Sequence, residues 1–359
     1  MNYKKSIEKI EPYKPGLSEK DIKIKYNLEK VVKLASNENP YGPSNRIKDI
    51  RLDSIERYPD NYCRELRSKL SKKYDIEGDN LIFGNGSVEI IQMLARAFVE
   101  PNDEVLTCTP TFQSYYLETI IEQGKMIDIP VTESFKFDLD GLANIITPRT
   151  KLIYIANPNN PTGTIVTENE LREFLKSISK DIVVVLDEAY SEFVNDKEYP
   201  DSVKLLNDYP NICILRTFSK AYGLASYRVG YGISNPEIVK NLEKVRLPFN
   251  VSSIAQKVAC IAIDDEAHLN ECVKNNRKVI ELVYEKLDEN NIEYIKTETN
   301  FIMIDTKKDG KLVHEKLLQN GFIVRPGFPG MDSYIRVSIG TESEMMEFVD
   351  CLNKILKEM

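Results

Sequence analysis

Between residues 80 and 250 the chain alternates short apolar runs with stretches of helical periodicity. The runs are NLIFG (80–84), DEVLTC (103–108), KLIYIA (151–156), DIVVVL (181–186), NICIL (211–215) and VGYGI (229–233). Amphipathic patterns such as SVEIIQMLARAF (87–98) and ENELREFLKSI (168–178) lie between them. Near-continuous Val, Ile and Leu leave a strand no polar face to turn to water. Alternated with helices, such runs predict an α/β fold with a mostly parallel central sheet covered on both faces. Past residue 250 the pattern changes. A helical stretch over 253–289, the segment NIEYIKTETNFIMIDT, a helix at 310–320, the runs GFIVRPG and SYIRVSIG, and a helix from 342 predict a smaller α+β unit. The expected division is a large domain over 30–250, with an arm at 1–29 and a small C-terminal domain at 251–359. The arm has no strand pattern of its own and is expected to pack on the small domain or across a subunit interface.

Ligands of open α/β sheets bind beyond the carboxyl ends of the strands, so the polar residues at those ends belong together. FGNGSVEII (83–91) places Gly84 and Gly86 before a helix that starts at Ser87 and Val88. Free N–H groups there form an anion cradle; a plain turn fits this stretch equally well. TPTF (109–112) ends in Phe112, a core or a site residue. NPNNPTG (157–163) makes a rigid loop. In VVVLDEAY (183–190) four apolar residues run into Asp187, and a carboxylate at the end of a buried strand needs a partner. A structural salt bridge or magnesium ligation would serve, but the chain has no G-x-x-x-x-G-K-[ST] phosphate loop. RTFSKAYGLASYR (216–228) holds Lys220 between Thr217, Ser219 and Arg228. A surface position is a lysine's ordinary fate, whereas a nucleophilic lysine needs a carbonyl partner. Lysine, aspartate, anion cradle and asparagine loop together suit pyridoxal 5'-phosphate, whose pyridine nitrogen Asp187 would pair and whose phosphate Thr217, Ser219 and Arg228 would bind.

Composition narrows the setting. The 359 residues are 42% hydrophobic and 29% charged, with a net charge of −8. That balance argues against nucleic acid or anionic membrane as a general partner. No stretch resembles a signal peptide, and no apolar run approaches the ~18 residues of a spanning helix. The six cysteines, Cys63, Cys108, Cys213, Cys260, Cys272 and Cys351, form no C-x-x-C pair. They read as reduced, buried thiols of a cytoplasmic protein. The two histidines, His268 and His314, lie in charged helical stretches and read as solvated, so no metal site is expected.

The succession EPYKPG, KLASNENPYGPS, RYPD, NGSVE, TPTF, NPNNPTG, LDEAY, TFSKAYGLASYRVGYG and IRVSIG resembles the fold-type I pyridoxal-phosphate enzymes, specifically the histidinol-phosphate aminotransferase group. The resemblance runs from about residue 10 to 355. It implies that Lys220 is the Schiff-base lysine and proton shuttle and that Asp187 holds the pyridine nitrogen. Asn160 and Tyr190 would bond the ring hydroxyl, and Phe112 would stack on the ring. Ser87, Val88, Thr217, Ser219 and Arg228 would bind the phosphate, with Tyr58 reaching it from the partner of a homodimer. Tyr13, Asn39, Arg325 and Arg336 would contact substrate, with Arg336 reading glutamate's carboxylate and the substrate phosphate in turn. The sequence departs from the group at Ser226 and Tyr227, where Ala-Gly often precedes the arginine, and in the compact PGFPGMDSY segment. Other readings of the same residues are an aromatic amino acid aminotransferase and a decarboxylase of a phosphorylated amino acid such as threonine phosphate. A ligand-sensing regulator would carry an added DNA-binding segment, and none is seen.

Overall fold

The structure is a computed structural model that describes residues 3–11, 18–48, 50–51 and 54–359. A short strand, β1 (Val32–Lys33), precedes seven strands that form one sheet. These are β2 (Leu81–Gly84), β3 (Glu104–Thr109), β4 (Lys125–Pro130), β5 (Thr150–Ala156), β6 (Val183–Asp187), β7 (Ile212–Thr217) and β8 (Gly230–Ser234). Their spatial order is β2-β8-β7-β6-β5-β3-β4, and β8 alone runs against its neighbours. Successive residues of each strand enter opposite cores. Ile153, Val184 and Ile214 pack on one face, and Leu152, Val185 and Leu215 on the other. With both faces covered, the strands have no reason to alternate polar and apolar residues. The exception is β4, which the apolar runs did not predict. It lies at the sheet edge with Lys125 exposed, and its mixed KMIDIP sequence fits a half-solvated edge.

The second unit holds β9 (Glu293–Ile295), β10 (Phe301–Asp305), β11 (Phe322–Ile323), β12 (Arg325–Phe328) and β13 (Met331–Ser338). Four of these strands form an antiparallel sheet in the order β12-β13-β10-β9. Helices Glu266–Glu289, Gly310–Gln319 and Glu342–Glu358 cover one face, where Val283, Leu317 and Phe348 meet Ile304, Ile335 and Val337. The last helix starts at a capping box, Thr341 with Glu344, which satisfies N–H groups left open by the first turn. The strand period of two turns Arg336 and Ser338 to the opposite face, towards the large sheet.

Two segments pack across the expected limits of 30 and 250. Strand β1 pairs in parallel with β11, and Ile22 of helix Glu19–Tyr26 packs on Leu318 and Ile323, so this part of the chain lies on the small unit, whereas Lys4 donates to the Ile121 carbonyl of the large unit. Helix Ser253–Asp264 buries Val258, Ala259 and Cys260 in the large core. We propose a division that assigns 18–36 to the small unit and 253–264 to the large one. All six cysteines are unpaired and five are buried. Among the described residues no helix is long and apolar enough to cross a membrane.

Candidate active site

Strand register gathers the polar residues. Gly84 of β2 and Thr217 of β7 both lie opposite Gly230 of β8, so three strand ends meet at one edge. Ser87 opens helix Ser87–Phe98 directly above them. Gly86 has φ +81°, and a Cβ there would stand 2.5 Å from an Arg228 Nη. A Cβ on Gly230 would stand 2.5 Å from the Ser87 nitrogen. Only glycine allows backbone and guanidinium to come this close. The Ser219 hydroxyl accepts from the Arg228 guanidinium at 3.3 Å and from the Thr217 hydroxyl at 3.1 Å. Helix N–H groups, two hydroxyls and an arginine thus surround one point, which is the donor set of an anion site.

Asp187 ends β6 at 6% exposure. Its Oδ2 accepts from the Tyr115 hydroxyl at 2.6 Å and its Oδ1 from the Ala189 N–H at 3.3 Å. Burial pushes its carboxyl up to about 6, against the opposing effect of those two hydrogen bonds. Glu188 adds to the rise, and Lys220 opposes it. The side chain of Lys220 follows β7, and its Nζ donates to the Ser36 carbonyl at 3.1 Å. Burial, with Arg336 and Arg228 nearby, brings this amine down to about 8, so a substantial fraction is neutral near physiological pH.

The Asp187 shift has a measurable consequence in the ligand-free protein. An acid raised from 3.8 to about 6 stabilises the fold fully below about pH 4 and loses that contribution as pH rises through 6. Asp187→Asn removes the titration. The ligand-free variant is expected to exceed the ligand-free parent at pH 8, by up to about 3 kcal/mol, and to match it at pH 4. Equal denaturation midpoints at both pH values would contradict the assignment.

Tyr190 stands beside the lysine, its ring centroid 5.6 Å from Nζ. Its oxygen accepts from Asn37 Nδ2 at 2.9 Å and from Asn160 Nδ2 at 3.4 Å. Asn160 Oδ1 in turn accepts from Arg336. The buried Arg336 guanidinium also donates to the Ala35 carbonyl at 2.9 Å, and it lies 5.3 Å and 5.5 Å from the Phe301 and Phe328 ring centroids. Across the β12–β13 ladder, Arg336 is directly opposite Arg325. Like charges in opposed positions repel, so an anion between them reverses the sign of the interaction.

Phe112 follows β3 and meets Tyr115 edge to face at 5.7 Å. The expected residues Ser87, Val88, Phe112, Asn160, Asp187, Tyr190, Thr217, Ser219, Lys220, Arg228 and Arg336 therefore come from the strand ends and the facing strand β13. Four others stand apart. Tyr58 is 82% exposed and stacks on Phe249 at 4.6 Å. Asn39 ties the chain down, donating to the Ala221 carbonyl and accepting from the Tyr41 N–H, both at 2.9 Å. Arg325 reaches the site only through its place opposite Arg336, and Tyr13 lies outside the described residues. Two residues were missed. Tyr115 was hidden inside an amphipathic helix, and Asn37 stands two positions before the asparagine that drew notice. The histidines are half-buried, which corrects the solvated reading. The charged runs around them gave no sign that each ring sits on an inward helix face; His268 Nε2 is 3.2 Å from the Gly42 carbonyl oxygen. Among the described residues no group of three His, Cys, Asp or Glu is placed to hold a metal.

The profile of the family described as aminotransferase class I and II matches residues 29–352. A histidinol-phosphate aminotransferase of Caldicellulosiruptor saccharolyticus is 44% identical over 99% of this chain and 100% of its own. One from Geobacillus thermodenitrificans is 41% identical over 100% of this chain and 99% of its own. Among solved structures, the histidinol-phosphate aminotransferase of Sinorhizobium meliloti in complex with pyridoxal-5'-phosphate superposes with a TM-score of 0.90 at 24% identity, covering 99% of this chain and 98% of that one.

Proposed function

Because this chain belongs to the class I and II aminotransferase family, and within it to the histidinol-phosphate aminotransferases, we propose that it transfers the amino group of histidinol phosphate to 2-oxoglutarate. The products are imidazole-acetol phosphate and glutamate, the route is ping-pong and reversible, and the setting is histidine biosynthesis. The cofactor in this reading is pyridoxal 5'-phosphate.

The residues fit that group on three counts. The glycine-lined cradle at Gly86 and Gly230 leaves no room for a Cβ and is ringed by donors. Buried Asp187 has hydroxyl and N–H partners and an elevated proton affinity, the condition that a protonated ring nitrogen relieves. Lys220 holds an amine of lowered basicity beside it. Ser87, Val88, Thr217, Ser219 and Arg228 would take the phosphate, Phe112 the ring face, and Asn160 with Tyr190 the ring hydroxyl. When bound, the cofactor supplies a carbonyl carbon for the amine and a conjugated ring that accepts the electron pair of a broken C–H bond. Lys220 Nζ, with a pKa near 8, can take a proton from the substrate carbon and return it at working pH. Asp187 keeps its negative charge against the ring nitrogen. Arg336 orients each substrate by its anionic group.

The observation that carries the choice of substrate is the Arg325–Arg336 pair on one face of β12 and β13. Two guanidinium groups suit a dianionic phosphate better than a single carboxylate. Incubation with histidinol phosphate and 2-oxoglutarate should yield stoichiometric glutamate. Release of CO2 from a phosphorylated amino acid without glutamate would identify a decarboxylase instead.

The reading includes a homodimer with shared sites. Tyr58 stacks on Phe249, and both are exposed, as are the apolar side chains of Ile55, Tyr62 and Leu247, which a partner surface would cover. Sedimentation as a monomer at micromolar concentration would argue against it. A cytoplasmic location is supported by six unpaired cysteines.

A further inference from the structure

We propose that Asn37 is a positioning residue that aims the Tyr190 hydroxyl proton into the site, and that β13 of the small unit holds it in place through Ser338. The inference rests on the reading that Tyr190 meets the cofactor's ring hydroxyl.

Asn37 is 1% exposed, with φ +55°. Its N–H donates to Ser338 Oγ at 2.7 Å, and the Ser338 hydroxyl donates to Asn37 Oδ1 at 3.0 Å. That exchange fixes which end of the amide faces Ser338, because the hydroxyl has one proton and needs an acceptor for it. Nδ2 is left for Tyr190, at 2.9 Å. The Asn37 carbonyl accepts from Asn300 Nδ2 at 3.0 Å, so the residue is held on three sides. Asn160 is fixed by similar logic. A guanidinium only donates, so Arg336 selects Asn160 Oδ1 and turns its Nδ2 to Tyr190.

The Tyr190 oxygen therefore receives two N–H groups, and neither amide can accept its proton. The proton is directed away from both. The charged groups around this phenol are Arg336 on β13, Asp187 at the end of β6 and Lys220 after β7. Burial, the largest effect, keeps the phenol protonated, with Asp187 acting in the same sense; Arg336 and the Asn37 amide oppose. Asn37 thus makes Tyr190 a donor of fixed direction. The strand that holds Asn37 also carries Arg336, two residues before Ser338 on the same face.

A hydrogen bond donated to the ring oxygen of the cofactor lowers the basicity of that oxygen and of the nitrogen sharing its proton. The readout is the pH midpoint at which the visible band of the bound cofactor changes, in holoenzyme without substrate. Tyr190→Phe should raise the midpoint by about one pH unit, a tenfold change in proton affinity. Asn37→Asp keeps the volume and the oxygen facing Ser338 but replaces the donor to Tyr190 with an acceptor. It should raise the midpoint about as far as Tyr190→Phe does. Ser338→Ala, a milder change that frees the Asn37 amide to turn, should raise it less, and it provides the test if the first variant does not fold. A midpoint raised in Tyr190→Phe but unchanged in Asn37→Asp, or in Ser338→Ala when only that variant folds, would overturn the role of Asn37 alone. No shift in Tyr190→Phe would overturn the reading of Tyr190 and the inference with it.

Discussion

Lys220→Ala is expected to lose amino transfer by more than about 10⁴-fold, because in the proposed mechanism one side chain supplies both the covalent anchor and the proton carrier. The amine occupies a position no neighbour can fill. Tyr190 offers a ring centroid 5.6 Å away, and its phenol is held protonated by burial. Asp187 is committed to the Tyr115 hydroxyl and the Ala189 N–H. The variant should still bind the cofactor, since the cradle of Ser87, Thr217, Ser219 and Arg228 is untouched. Its absorption band should shift away from that of the parent, as no lysine is conjugated to the ring. Two measurements settle the point: the spectrum of the loaded variant and its single-turnover rate with glutamate. Turnover within about tenfold of the parent would remove Lys220 from the mechanism.

Arg336→Ala is expected to lower kcat/KM for histidinol phosphate by about 10²–10³-fold, the usual cost of removing one partner from a desolvated charge pair. The guanidinium is buried between the Phe301 and Phe328 rings and fixed by Asn160 and the Ala35 carbonyl. Little rearrangement is needed before it meets an anion, so its contribution is realised in binding. Glutamate should suffer as well, because the proposed mechanism uses the same side chain in both half-reactions. Preference for histidinol phosphate over histidinol should largely disappear. Arg336→Lys should not restore it, since an ammonium cannot make the two-point fork. Arg325→Ala should weaken the phosphorylated substrate more than glutamate. Steady-state kinetics of the variants with both donors check these expectations, and an Arg336→Ala enzyme that kept its phosphate preference would place the anion elsewhere.

The parallel sheet was legible because apolar runs and helical patterns agree from NLIFG to VGYGI. The candidate site was legible where chemistry ends a run: Asp187 follows four apolar residues, and Lys220 comes after NICIL. Edge strand β4 was not, since an edge needs no continuous apolar run. The packing of helix 253–264 on the large core was not legible, because amphipathicity shows that a face is buried, not against what. Tyr115 and Asn37 escaped for a related reason. A tyrosine in a helix and an asparagine in a loop are ordinary residues until folding brings Asp187 and Tyr190 within 2.6 Å and 2.9 Å of them. Arg325 and Arg336 could be named from the sequence, but their cross-strand opposition is a product of register.

In the proposed function, this site recognises a phosphorylated amino alcohol as its amino donor. The most direct measurement is kcat/KM for histidinol phosphate, histidinol and phenylalanine, each with 2-oxoglutarate as acceptor. Histidinol phosphate should lead histidinol by at least about 10²-fold, since the phosphate group alone satisfies the paired arginines. If histidinol and histidinol phosphate react equally well, or phenylalanine exceeds both, the claim is contradicted and the enzyme is an aromatic aminotransferase of the same fold.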